Sequence, residues 1–285
     1  MSGEFPAYGR LRSVTPLASV LLAENPSPMT LEGTNSWVLR APGDAGCVVV
    51  DPGEPDELHL VRLAACGPVR LVLLTHRHAD HAGGARRFAE LTGAPVRALD
   101  PTLVLGSEAL ADGDVVAAAG VELRVITTPG HTDDSLSFLL LGPDAPAALL
   151  TGDTILGRGT SVIAHPDGAL GPYLHSLGRL STLAPGTTVL PGHGPELPDA
   201  PTVARAYLAH REQRLDQVRT ALTGLGPGAT AGQVVELVYA DVDRALWPAA
   251  ELSVRAQLDH LRGPGTGPPA PGLSEPAGPV ARAPG

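Results

Sequence analysis

Thr75-His76-Arg77-His78-Ala79-Asp80-His81-Ala82-Gly83-Gly84 closes an apolar run, Val69 to Leu74, that reads as a buried strand. Ala85–Leu91 can open a helix directly after the two glycines. Three imidazoles and one carboxylate therefore share a single loop at a strand end. Side chains alternate along an extended segment, so His76 and His78 point the same way. Once the chain turns, Asp80 and His81 can face a second point nearby. Isolated histidines are ordinary core or surface residues; this density of ligand types reads as a metal site.

The same grammar recurs downstream, at the strand ends where loops carry chemistry. Val121–Thr128 runs into Pro129-Gly130-His131, Ala147–Leu150 into Thr151-Gly152-Asp153, and Val189-Leu190 into Pro191-Gly192-His193. Each is a short apolar run, a turn signal, then one His or Asp.

In order and spacing, these stretches over residues 17–200 resemble the metallo-β-lactamase superfamily. The resemblance implies an αββα four-layer sandwich, an α/β (α+β) fold, and two metal sites. His76, His78 and His131 would hold one ion, and Asp80, His81 and His193 the other, with Asp153 bridging. Asp80 is also the expected catalytic residue. Imidazole with some carboxylate suits zinc, and also iron or manganese, and no cysteine lies near these loops. Ions about 3.5–4 Å apart can share a bridging hydroxide, available near pH 7 because bound water is acidified. The net positive centre favours substrates that carry or develop an oxyanion.

Composition narrows the classes. A chain of 285 residues allows one large domain or a large and a small one. With 43% apolar but only 3% aromatic residues, the core must be mostly Leu, Val and Ala. All 20 basic residues are arginine, which together with abundant Ala, Gly and Pro reads as a GC-rich, bacterial coding bias. A net charge of −10 gives bulk nucleic-acid binding no support. Cys47 and Cys66 read as buried small hydrophobes, not a disulfide framework. The N-terminus has no basic-then-apolar leader, and no window reaches the ~18 apolar residues of a membrane span. The expected setting is soluble and cytoplasmic, with no membrane partner.

Residues 1–16 read as an irregular lead-in, Ala18–Ala23 and Ser36–Arg40 as strands. Cys47–Val50 runs into Asp51-Pro52-Gly53, where Asp51 can accept from a ligand histidine or simply form the turn. Leu58, Val61, Leu63 and Ala65 carry helical spacing, and Gly120 marks a hairpin between Val115–Ala119 and Val121–Thr128. Asp133 or Asp134 can orient His131, or simply form an acidic turn. Arg158, in a glycine-flanked loop, and His165, in a turn, are candidate substrate contacts. His175 and His210 fall within helices and read as structural.

From residue 201 to 262 the pattern is helical: Val203–Leu222, then Val234–Tyr239 capped near Thr230, then Ala249–Leu261. Asn25–Asn35, Tyr207–Arg211 and Leu246–Leu261 resemble the superfamily branch containing the endoribonuclease β-lactamase-like protein and its bacterial relatives. There the last part resembles a winged helix. Here residues 263–285 are mostly Gly, Pro and Ala and read as a disordered tail, so the wing is expected to be lost or vestigial.

Residues 201–262 carry seven Arg against seven Asp plus Glu, without the positive excess that phosphate binding rewards. A packing or homodimer role for the helices fits as well. The leading expectation is a dinuclear metal hydrolase of a small ester, thioester or lactone, favouring an acyl substrate over RNA. A metal-dependent single-strand endoribonuclease is the alternative the branch implies. A partner-binding helical module on an idle sandwich is the third.

Overall fold

The computed structural model describes residues 7–142, 146–226 and 228–263. The first half runs β1 (Arg12–Ser13), β2 (Ala18–Leu22), β3 (Asn35–Leu39), β4 (Cys47–Val50), α1 (Glu57–Ala64) and β5 (Val69–Leu73). It continues through α2 (Ala79–Ala82), α3 (Ala85–Thr92) and β6 (Val96–Arg97). The second half is β7 (Val115–Ala118), β8 (Val121–Thr127), β9 (Leu136–Leu141), β10 (Pro146–Gly152), α4 (Leu170–Leu180) and β11 (Thr188–Pro191). Three helices follow: α5 (Ala200–Leu225), α6 (Ala231–Val238) and α7 (Trp247–Arg262).

The strands form two sheets, ordered β1-β2-β3-β4-β5-β6 and β11-β10-β9-β8-β7. Cys47–Val50 shows why an unbroken apolar run becomes a strand buried on both faces. Val48 and Val50 enter the core between the sheets, with Leu39, Leu73, Phe138 and Leu150. Cys47 and Val49 face the other way, among Leu60, Leu63 and Phe88 of α1 and α3. On the far side α4 and α5 cover the second sheet, where Tyr173, Leu177 and Tyr207 meet Leu139, Leu149 and Val189. The layering is therefore α-β-β-α.

Several expectations change in detail. Arg12–Ser13, in the stretch read as irregular, pairs antiparallel with β2. Leu58 and Val61 are 56% and 47% exposed, and α1 instead buries His59, Leu60 and Leu63. The hairpin at Gly120 is present, with Ala119 and Gly120 both at positive φ (49° and 68°), the conformation of a type I′ turn.

β4 and β5 run parallel, as do β10 and β11. β8 points the same way as β10, since each is antiparallel to β9. The loops leaving β4, β5, β8, β10 and β11 therefore emerge at matching strand ends and converge.

Beyond the sandwich, the C-terminal half of α5 packs with α6 and α7 around Val218, Val234, Val254 and Leu258. Thr230 and Gln233 form a reciprocal capping box at the start of α6. The tail read over 263–285 lies outside the described residues except Gly263. Among the described residues no helix is long and apolar enough to cross a membrane.

Candidate metal centre

β5 delivers the quoted loop, and α2 turns it. His76 Nε2 lies 3.1 Å from His78 Nδ1, and His131 Nε2 lies 3.0 Å from that same His78 atom. A second set forms across α2 and the loop after β11. His81 Nε2 and His193 Nε2 are 3.2 Å apart, with Asp80 Oδ2 3.4 Å from the first and 3.1 Å from the second. Asp153 faces both sets. Its Oδ1 is 3.4 Å from each of His81 and His193 Nε2, and its Oδ2 is 3.6 Å from His131 Nε2.

The far side of each ring explains these orientations. His131 Nδ1 donates to the Val162 carbonyl at 2.6 Å, with the Ser161 hydroxyl 3.1 Å away. His193 Nδ1 donates to the Gly33 carbonyl at 3.2 Å, and His81 Nδ1 to Asp51 Oδ2 at 2.8 Å. Thr75 supplies the fourth anchor. Its hydroxyl donates to Asp51 Oδ2 at 2.6 Å, so its oxygen is left to accept from His76 Nδ1 at 3.0 Å. With Nδ1 so engaged, Nε2 of all four rings is directed to the centre.

This donor set fits divalent cations. Nε2 of His76 and of His131 cannot both be satisfied by the one proton His78 Nδ1 can carry, whereas a cation among them satisfies all three. Separations of 3.0–3.2 Å match the edge of a tetrahedron, about 3.3 Å, built on Zn–N bonds of about 2.0–2.1 Å. Asp153 Oδ1 is buried and accepts no hydrogen bond. Gly192 leaves the necessary room. A Cβ there would stand 2.6 Å from Asp153 Oδ1 and 2.7 Å from His81 Cε1.

Charge divides the sets. Burial depresses His76 well below the usual imidazole value and takes His131 down to about 4. Burial also opposes charge on His193, but Asp153 and Asp80 outweigh it and push its pKa up to about 9. His81 is raised likewise, burial being overcome by Asp153, Asp80 and Asp51. Asp80 and Asp153, though buried, are held below the usual carboxylate range by His81 and His193. A cation at the second set would compete with protons there.

A cavity of about 380 Å³ opens beside His131 and Asp153. Its walls include Pro28, Met29 and Leu31, the loop Leu156–Val162, and the helical region through His210, Arg211, Arg214, Tyr239, Val242, Leu246, Ala249, Ala250 and Ser253. Arg158 lines it and is paired with Glu32. His165 does not face it; its Nε2 contacts Asp259 Oδ2 at 2.8 Å, against α7. His210, read as structural, lines the cavity instead. Asp133 and Asp134 do not reach His131. With Asp100 and Asp167 they surround Arg77, between the two loop histidines. Ser161 and Val162 carried no sequence signal, and Arg211 stood only within the branch-like string Tyr207–Arg211; tertiary packing brings all three here.

Comparison with known proteins agrees with this geometry. Residues 29–193 match the metallo-beta-lactamase superfamily, and residues 230–265 the beta-lactamase associated winged helix domain. Lactamase-like protein adaB of Aspergillus niger is 32% identical, over 85% of this chain and 80% of its own length. The Caenorhabditis elegans beta-lactamase-like protein 2 homolog is also 32% identical, over 85% and 82%. An atrochrysone carboxyl ACP thioesterase of Aspergillus fumigatus is 30% identical, over 79% and 74%. Among solved structures, a beta-lactamase domain protein from Burkholderia ambifaria superposes with a TM-score of 0.71 at 25% identity, covering 91% of this chain and 89% of its own. With the motif loops at matching strand ends and both profiles matched in order, the chain belongs to the metallo-β-lactamase superfamily and bears its associated winged-helix domain.

Proposed function

We propose that this protein is a metal-dependent hydrolase of acyl thioesters whose acyl part is mainly apolar. The observation that carries this reading is the cavity beside His131 and Asp153, walled by Leu31, Leu156, Val162, Val242, Leu246, Ala249 and Ala250. Polar groups such as Arg158, Arg211 and Ser253 also reach the cavity, but most of its wall surface is apolar, and an acyl chain gains by burial against it. The named thioesterase among the relatives supports the same class. Small esters and lactones share the acyl chemistry.

His76, His78 and His131 would hold one ion, Asp80, His81 and His193 the second, and Asp153 stands where it can serve both. Zinc suits the donors best, with iron or manganese also compatible. Bound divalent ions would supply hydroxide near neutral pH and polarise the thioester carbonyl. The chain's own residues orient and enclose. Asp51, Thr75, Gly33 and Val162 lock the imidazoles, so little reorganisation accompanies the reaction. Asp80 and Asp153, kept as carboxylates, can orient water for attack on the acyl carbon. The helical roof excludes bulk solvent while the C–S bond breaks, releasing a carboxylic acid and a thiol.

The test is parallel hydrolysis of a medium-chain acyl thioester, a lactone and a single-stranded RNA by metal-loaded protein. Thioester turnover at least a hundredfold above the metal-free chain, without RNA cleavage, is expected. RNA cleavage with no acyl turnover would overturn the reading.

A further inference from the structure

We infer that Arg211 is the specificity residue of this cavity and selects acyl groups that carry a carboxylate of their own. The inference rests on the acyl-hydrolase reading above and names its substrate more narrowly. Arg211 lies on α5, is 3% exposed, and lines the cavity. Its Nη2 donates to the Ser161 carbonyl, and its guanidinium lies over the Tyr173 ring, 5.1 Å from the centroid. Its Nε is buried and has no hydrogen-bond partner.

No carboxylate among the described residues pairs with this guanidinium. Other arginines do find one: Arg158 takes Glu32, and Arg77 takes four aspartates. Arg214, one turn further along the same wall, is also without an acidic partner within the described residues; it bonds to the Val238 carbonyl and lies over Tyr239. The one carboxylate on the cavity wall, Asp153, is engaged with His81, His193 and His131. A buried cation without a counter-ion is costly and is normally paired. His210, adjacent on the same helix and wall, offers a second buried polar atom, Nδ1, that is also without a partner. The cavity therefore presents two cations and spare buried donor capacity among apolar walls.

A carboxylate is the anion that matches. A guanidinium offers it a planar pair of donors, and the rest of an aliphatic acyl chain is served by the walls. A phosphodiester could meet the same guanidinium, but its ribose gains less from burial against the aliphatic walls than an acyl chain does. Stapling the Ser161 loop alone needs only one donor and explains neither the spare Nε nor the missing counter-ion.

Octanedioate and octanoate provide the test, each titrated by calorimetry into metal-loaded protein. Both present one carboxylate to the metal centre, so only the second reports on Arg211. Octanedioate is expected to bind at least tenfold tighter. In Arg211→Gln that preference should fall to within twofold while octanoate affinity changes less than twofold. If Arg211→Gln does not fold, Arg211→Lys keeps the charge and a donor for Ser161, and its preference should drop at least threefold. Equal affinities in the parent protein, a parallel loss of both ligands in Arg211→Gln, or an unchanged preference in Arg211→Lys would overturn the inference. So would binding of an oligoribonucleotide that depends on Arg211 with no preference between the acids. A retained preference for octanedioate in a protein that cleaves no thioester would refute the proposed reaction and leave this inference standing. Thioester turnover without the preference would do the reverse.

Discussion

Asp51 reaches both sets of the candidate metal centre from outside them. It sits at φ 54°, a left-handed conformation uncommon for a residue with a side chain, and is 1% exposed. Three donors converge on its carboxylate: the Thr75 amide at 2.8 Å, the Thr75 hydroxyl at 2.6 Å and His81 Nδ1 at 2.8 Å. Through Thr75 it also sets His76, so one carboxylate orients a ring in each ligand set. Asp51→Asn preserves volume but has only one acceptor oxygen, turning an NH2 group against a donor. We expect metal affinity to fall by about 10–100-fold, the usual cost of losing such a partner. Chelator competition on the variant checks this, and parent-like affinity would refute it. At this scale the sequence made legible the candidate ligands at strand ends, His76 after an apolar run and His131, Asp153 and His193 after a run and a turn signal, and the structure brings these four groups together. It was silent on Val162, which reaches His131 from 31 residues away. Asp133 and Asp134, close to His131 in sequence, fit the ordinary reading of an acidic turn and surround Arg77 instead.

Elements were legible where one face alone decides their fate. β4 is apolar throughout and β9 apolar except for Ser137, and both are buried strands. α1 was not so simple: its exposed Leu58 and Val61 suggested one face, while the buried one contains His59. That histidine contacts the Ser36 hydroxyl at 2.9 Å, bringing α1 against β3. Burial takes its pKa down to about 4, against about 6.5 for an unfolded chain. Between those values the unfolded state binds a proton that the folded state refuses, so stability is whole above pH 6.5 and declines as pH falls toward 4. The full difference corresponds to about 3 kcal/mol. His59→Gln should remove that contribution. Urea unfolding of parent and variant from pH 7 to 4.5 would show it as a converging difference in stability, and a difference that stays constant across the window would exclude it.

At the scale of the molecule, the helical region is built into the sandwich rather than appended to it. α5 follows Asp199, whose side chain caps the Thr202 amide, and then lies along the second sheet. Ala200, Ala204, Tyr207 and Leu215 share one apolar cluster with Leu139, Leu149 and Val189. The Tyr207 hydroxyl accepts from the Leu156 amide at 3.0 Å and lies 2.9 Å from the Gly159 carbonyl, holding the cavity loop. Ser253 of α7 likewise takes the Ile163 amide at 3.2 Å. The sequence showed the helices but not this seam, because no local pattern tells that Ala204 and Arg211 are buried while Ala206 is exposed. A chain ending at Asp199 would uncover the sheet, orphan the Leu156 and Ile163 amides and unroof the cavity. Each large apolar side chain buried is worth about 1.5–3 kcal/mol, and an orphaned buried amide costs about 1–3 kcal/mol. Together these rival the roughly 5–15 kcal/mol by which a domain is stable at all. The shortened chain should therefore aggregate or melt without a cooperative transition, as followed by calorimetry alongside the full chain. A soluble 1–199 fragment that melts cooperatively and binds metal with parent-like affinity would show instead that the sandwich folds alone. The helices would then serve only as the roof that carries Arg211.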